Sequence, residues 1–234
     1  MTDRHEFEFE IDAPRAEVWR ALVDPDALRG WFATEARVSP EVGGEWFVAH
    51  GEHAEGSTIE EIVPQERLRT VSGEMITEFV LEGREGTTLL RIVHSGFGGD
   101  VRESLENGWA QYMQTLRHFL ARHPAEAAAA TYLYAESAGN VEQTRAVLPK
   151  TLPDGADIFD EWPRSIGARI PELGDGMYRA SVEGGDGRVS LWIHLVAYGV
   201  GRGRLDAVAQ EVGRKLRDLV PQMPSPANPR AHRT

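Results

Sequence analysis

The sequence predicts an α+β fold: a curved antiparallel sheet closed by one long helix, followed by a smaller α+β unit. Three observations predict it. Residues 5–11 alternate His5, Phe7, Phe9 and Ile11 with Glu6, Glu8 and Glu10, the two-residue period of a strand with one dry face. From Thr34 to His94 the chain breaks into short runs punctuated by Gly43-Gly44, Gly51 to Gly56, Pro64, Ser72-Gly73 and Gly83 to Gly86, the spacing of an antiparallel meander. After Gly99, the residues Val101, Leu105, Trp109, Met113, Leu116 and Leu120 recur at three or four. That is one stripe of a helix of about twenty residues, about 30 Å long at a rise of 1.5 Å per residue. Such a helix spans a whole sheet, and large apolar side chains aimed inward make the layout a container.

Two short helices are expected between the first strand and the meander. Pro14 suits a first helical position, and Val18, Trp19 and Leu22 follow with helical spacing. Asp24-Pro25 opens a second helix, with Asp24 as N-cap and an end near Gly30. The long helical pattern meets Pro124 and then an alanine run, so residues 1–123 form the first domain and 124–131 a linker. Residues 132–220 form the second domain. Within it the pattern gives a strand at 131–136, a helix at 140–149, a hairpin of 176–183 with 188–199, and a helix at 203–220 that aligns Leu205, Val208, Ala209, Val212, Leu216 and Leu219. This order suits either a reduced second copy of the first fold or an unrelated α+β unit. Thr151 to Gly176 carries Pro153, Trp162, Pro163 and Pro171 without periodicity, the profile of a long covering loop with Trp162 as its anchor on the first domain. Residues 221–234 hold four prolines and read as a flexible tail.

Composition excludes several functions. The 234 residues are 41% hydrophobic and 26% charged, with no apolar run long enough for a membrane span and no charged-then-apolar leader at Met1. The absence of cysteine rules out disulfides, thiol catalysis and cysteine-ligated metal, and fits a cytoplasmic chain. A net charge of −12 argues against a nucleic-acid surface. Residues 1–123 hold 12 arginines and no lysine against 23 acidic residues, so nearly all the excess negative charge lies there.

The ordered signals Ala13-Pro14, Val18-Trp19, Trp31-Phe32, Gly43-Gly44, Pro64 with Leu68, Ser95-Gly96-Phe97 and Gly108-Trp109 resemble the START-like, or SRPBCC, superfamily over about residues 5–122. Within it they resemble the bacterial homologues of the activator of heat-shock-protein ATPase. The resemblance implies a helix-grip, in which a curved antiparallel sheet wraps a long C-terminal helix, two short helices close one end, and an apolar cavity lies between sheet and helix.

The lining expected for that cavity is Trp31, Phe32, Trp46, Phe79, Phe97, Trp109 and Tyr112, with Met113 and Leu116 behind them. An apolar wall with a few polar groups suits a lipophilic or aromatic guest, although an aromatic at any one such position is more often ordinary core. Gly108 interrupts the long helix at a cost of about 1 kcal/mol relative to alanine, offset either by close approach of a strand or by room for a ligand. His94 and Tyr112 are the candidate acid–base groups, and a rim histidine bonded to backbone is the plainer account of His94. His50 and His53 sit near Glu60 and Glu61, but their spacing lacks the third ligand of a zinc signature, so no metal and no cofactor is expected.

Three functions follow. The first is binding of a small hydrophobic or aromatic molecule, as carrier or sensor. The second is a cyclase- or hydratase-like enzyme acting on a polyketide-like substrate, as the superfamily implies. The third is regulation of a chaperone ATPase, for which no separate docking domain is recognisable. Oligomeric state is not encoded in any of these signals.

Overall fold

The structure is a computed structural model that describes residues 3–97, 102–185 and 188–219. The first half runs β1 (Asp3–Ile11), α1 (Arg15–Val23), α2 (Pro25–Arg29), β2 (Glu35–Val38), β3 (Glu45–His50), β4 (His53–Val63), β5 (Arg67–Ser72), β6 (Met75–Arg84), β7 (Thr87–Phe97) and α3 (Arg102–Arg122). Its seven strands form an antiparallel sheet in the order β1-β7-β6-β5-β4-β3-β2. The first strand thus closes on the last, and α3 packs across the concave side. This is the helix-grip fold, and the chain as a whole is α+β.

The short helices are fixed by their ends. Asp24 caps α2 through its carboxylate, which accepts from Asp26 N at 2.8 Å and Ala27 N at 3.3 Å. The last carbonyls of α1 have no partner within the helix, and two indoles supply one each: Trp31 Nε1 donates to Ala21 O at 2.9 Å and Trp46 Nε1 to Leu22 O at 3.0 Å. Gly30 stands at the end of α2, where a Cβ would lie 2.5 Å from the Phe119 ring on α3. Phe119 is fully buried and completes the α3 stripe of Trp109, Met113, Leu116 and Leu120. Val101, Gly98 and Gly99 lie outside the described residues.

The second half runs β8 (Ala128–Ser137), α4 (Val141–Arg145), α5 (Leu148–Thr151), β9 (Asp157–Trp162), β10 (Ser165–Ile170), a 3-10 turn (Pro171–Leu173), β11 (Gly176–Gly185), β12 (Arg188–Tyr198) and α6 (Arg202–Leu219). Its sheet order is β8-β12-β11-β10-β9. Both halves therefore follow one path: a strand, two short helices, an antiparallel meander whose last strand pairs with that first strand, and a long helix. The second sheet has two strands fewer.

Several local expectations are corrected. β8 begins at Ala128, inside the stretch expected as linker. The expected helix at 140–149 is two helices, with Pro149 in the first turn of the second. The segment expected as a loop contains the β9–β10 hairpin. Trp162 is 40% exposed on edge strand β9, its indole donating to Asp160 Oδ2 at 2.7 Å, and it does not anchor the first domain. Residues 186–187 between β11 and β12 lie outside the described residues, as does the tail at 221–234.

The second sheet has two faces. Tyr178, Ala180, Val182, Val189, Leu191, Ile193 and Leu195 pack with Leu205, Val208, Val212 and Leu216 of α6 in a core of their own. On the other face Ala130, Met177, Val196 and Tyr198 are buried in the core of the first half. Tyr198 OH donates to Gly30 O at 2.7 Å, joining β12 to the end of α2. The halves share one interior surface, with α3 between the sheets.

Candidate functional site

α3 separates two chambers. The first, about 310 Å³, lies between the first sheet and α3. Phe32 follows α2, Trp46 and Val48 come from β3, Phe79 from β6, and Leu105, Gly108, Trp109 and Tyr112 from α3. The rings brace one another: Phe32 stacks on Trp109 at 5.7 Å with planes 6° apart, Phe79 meets Trp109 edge-on at 5.8 Å, and Phe32 meets Tyr112 edge-on at 4.5 Å. Ser57, Thr70, Thr77, Ser104, His50 and His94 add polar patches to this wall, and Glu55 and Glu183 also line it. Of the residues expected in the lining, Phe32, Trp46, Phe79, Trp109 and Tyr112 are brought together. Trp31, Met113 and Leu116 do not line this space and lie in the same core as the rings that do. Phe97 ends β7, and its side chain lies outside the described residues.

His94 is held at both ring nitrogens. Trp109 Nε1 donates to His94 Nε2 at 2.6 Å, and Nδ1 lies 3.1 Å from Thr77 Oγ1. Because an indole only donates, Nε2 carries the lone pair and Nδ1 the proton. Burial, with His5 across the strand pair, lowers the His94 pKa to about 4, so the ring is neutral at pH 7. Tyr112 OH shares a hydrogen bond with Tyr132 OH at 2.8 Å, and burial raises the pKa of both phenols.

The second chamber, about 290 Å³, lies on the far side of Gly108, between α3, the β3–β4 turn and the second sheet. His50 and His53 face Tyr132, Arg179, Ser181, Glu183, Trp192 and His194 across it. The chambers share His50, Gly108, Tyr112 and Glu183. A Cβ on Gly108 would meet nothing within 4 Å, so this glycine relieves no packing clash and opens onto the space between the chambers. Arg179 is 5% exposed, lies 4.3 Å over the Tyr112 ring and donates from Nη2 to His194 Nδ1 at 2.8 Å. Burial and the Arg179 charge lower the pKa of His50 to about 4 and hold that of His194 well below the ordinary imidazole value. Both rings are therefore neutral at pH 7.

His50 and His53 pair across their hairpin, and Glu60 and Glu61 are elsewhere, engaged with Arg69 and Arg67 on the outer face. Metal-ligand types do converge at another place: His118, His123 and Asp175 have ligand atoms within 4.8 Å of one another. The Asp175 carboxylate is already bonded by Arg122, His118 Nε2 lies 2.8 Å from Asp175 O, and Tyr198 stacks on His123 at 4.1 Å. With a guanidinium on the one carboxylate, the cluster fits a clamp between the end of α3 and the start of β11 better than a cation site.

Residues 12–121 match the family described as Activator of Hsp90 ATPase homolog 1-like protein. Over this segment, a little under half of its length, the chain is similar to that family. An AHSA1-like protein of Rhizobium etli is similar at 30% identity over 52% of this chain and 84% of its own, with a TM-score of 0.43. The Aha1 dimer of Colwellia psychrerythraea is similar at 18% identity over 50% and 96%, with a TM-score of 0.46. DynU16, from the dynemicin biosynthetic locus, is similar at 19% identity over 93% of this chain and 94% of its own, with a TM-score of 0.47. No match is found among the curated proteins. The α+β helix-grip is consistent with the START-like superfamily. No helix among the described residues is long and apolar enough to cross a membrane.

Sequence reasoning missed the second chamber. Arg179, Ser181 and Glu183 alternate with Tyr178, Ala180 and Val182, and His194 and Trp192 alternate with Ile193 and Leu195. This is the pattern of a strand with a wet face, and nothing in it tells water from a chamber wall. The readable signal was the size of the residues on that face: a tryptophan and an arginine on neighbouring strands are large for a solvent surface.

Proposed function

We propose that the chain binds one small hydrophobic or aromatic molecule in the chamber between the first sheet and α3, as a carrier or sensor. The observation that carries this reading is Gly108. A glycine inside a helix costs about 1 kcal/mol, and here it faces open space between two chambers. Room for a guest accounts for it where packing does not. The five braced aromatic side chains supply a preformed apolar wall, which lowers the ordering cost of binding.

Turnover is the less supported reading. The His94 lone pair is taken by Trp109, and its low pKa leaves it a weak base at pH 7, so its role is to orient the indole. Regulation of a chaperone ATPase comes from the description of the family, and a fold-level likeness is a weak guide to a partner.

Native mass spectrometry with organic extraction tests the proposal on freshly purified wild-type chain and on Gly108→Leu. A lipophilic mass at one per wild-type chain, lost from the variant, is expected. The same mass retained by a folded variant would place the guest outside the chamber.

A further inference from the structure

We propose that the second chamber is an oxyanion receptor built around Arg179, and that the ligand is an aromatic molecule carrying a carboxylate. The proposal rests on the reading of the chain as a binder of aromatic molecules, and adds the charge and the place where it is held.

Four observations carry it. First, Arg179 is a buried cation without a carboxylate: among the described residues no Asp or Glu oxygen lies within 4.0 Å of it, and its partners are His194, the Tyr112 ring and the phenols of Tyr112 and Tyr132. A guanidinium is always charged, and burying one unpaired is costly unless something else supplies the anion.

Second, six buried side-chain nitrogens among the described residues lack a hydrogen-bond partner, and four belong to residues of this chamber: Arg179 Nε, Trp192 Nε1, His194 Nε2 and His50 Nδ1. Unpaired buried polar atoms are rare in folded proteins, so four around one space mark a place where a polar group is missing.

Third, the first three are donors. Arg179 can only donate, so the His194 Nδ1 that receives its bond must carry the lone pair. The neutral His194 ring therefore holds its proton on Nε2. Three unpaired N–H groups on adjacent strands, one of them on a fixed positive charge, suit a carboxylate.

Fourth, the two chambers share Gly108 in their lining, a position with no side chain and nothing within 4 Å of a Cβ. One ligand can therefore place its ring system on the first side and its charge on the second. The carboxylates that count against this are Glu183, which lines both chambers, and Glu55, which lines the first. Partial burial raises the pKa of Glu183, and the cation that acts against this is Arg164.

Calorimetric titration of the full chain with 2-naphthoate and with 2-naphthamide, its uncharged counterpart, tests the assignment. Wild type is expected to bind naphthoate at least tenfold more tightly. Arg179→Met, which keeps volume and removes charge, is expected to reduce that preference to within twofold while leaving naphthamide affinity unchanged. Arg179→Lys, which keeps charge, covers the case in which the methionine variant does not fold, and is expected to retain part of the preference. Binding of both probes without preference in wild type would overturn the receptor and leave the aromatic site standing, as would a preference unaltered in folded Arg179→Met. Binding of neither probe would overturn both readings.

Discussion

Gly108 faces opposite demands of stability and binding. Its Cβ position is empty, so Gly108→Leu gains helix propensity worth about 1 kcal/mol and fills apolar space. The variant is expected to melt a few degrees higher, since about 1 kcal/mol corresponds to roughly 2–4 °C in a chain of this size. It should bind an aromatic guest at least tenfold more weakly. A lower melting temperature with unchanged binding would show that the glycine serves packing. His50 and His94 set the acid limit of the fold. Each has a folded pKa of about 4 against about 6.5 unfolded. Their stabilisation is thus full above pH 6.5 and is lost as pH falls toward 4. Between pH 7 and 5 each contributes roughly 2 kcal/mol of that loss, with His5 beside His94 and with Arg179 and His53 beside His50. Urea unfolding at the two pH values should show the drop, and His94→Gln should remove the His94 share of it while the His50 share remains. A pH-independent midpoint would mean that these rings are solvated. The aromatic wall was legible in the sequence because each ring sits on an apolar stripe. Its depth was not: Trp109, Met113 and Leu116 share one face of α3, and only position along the axis separates wall from core.

At the scale of elements, the halves are held by α3 and by the strands that lean on it. Tyr198 OH, donating to Gly30 O, is the hydrogen bond that ties β12 to α2, and Tyr198→Phe is expected to cost about 1–3 kcal/mol because it leaves a buried carbonyl unpaired. Denaturant unfolding measures this. A change below 0.3 kcal/mol would mean that water replaces the hydroxyl. The long helices, the meander and the β11–β12 hairpin could be read from periodicity. The β9–β10 hairpin could not, since Ile158, Phe159 and Trp162 are all partly exposed and give β9 no alternation, while Pro163 at its end reads as loop. The path repeated between the halves is invisible in the residues because pairing order, rather than residue identity, is what the two share.

For the whole molecule, the second half acts as a wall of the first. Ala130, Met177, Val196 and Tyr198 fill the first core, and Arg179, Trp192 and His194 line the second chamber. A fragment of residues 1–123 is therefore expected to expose that surface, melt below the full chain and lose its preference for carboxylates. A fragment as stable and as selective as the full chain would remove the second half from the site. The account turns on one ligand lying across Gly108, with its ring on the aromatic side and its charge on Arg179. The most direct test is a crystal structure of the full chain with 2-naphthoate. The account predicts a naphthalene ring within the space walled by Trp46, Phe79 and Trp109 or directly across Gly108, with a carboxylate oxygen about 3 Å from Arg179. Naphthoate ordered elsewhere on the chain, or both chambers holding only solvent at saturating naphthoate, would contradict it.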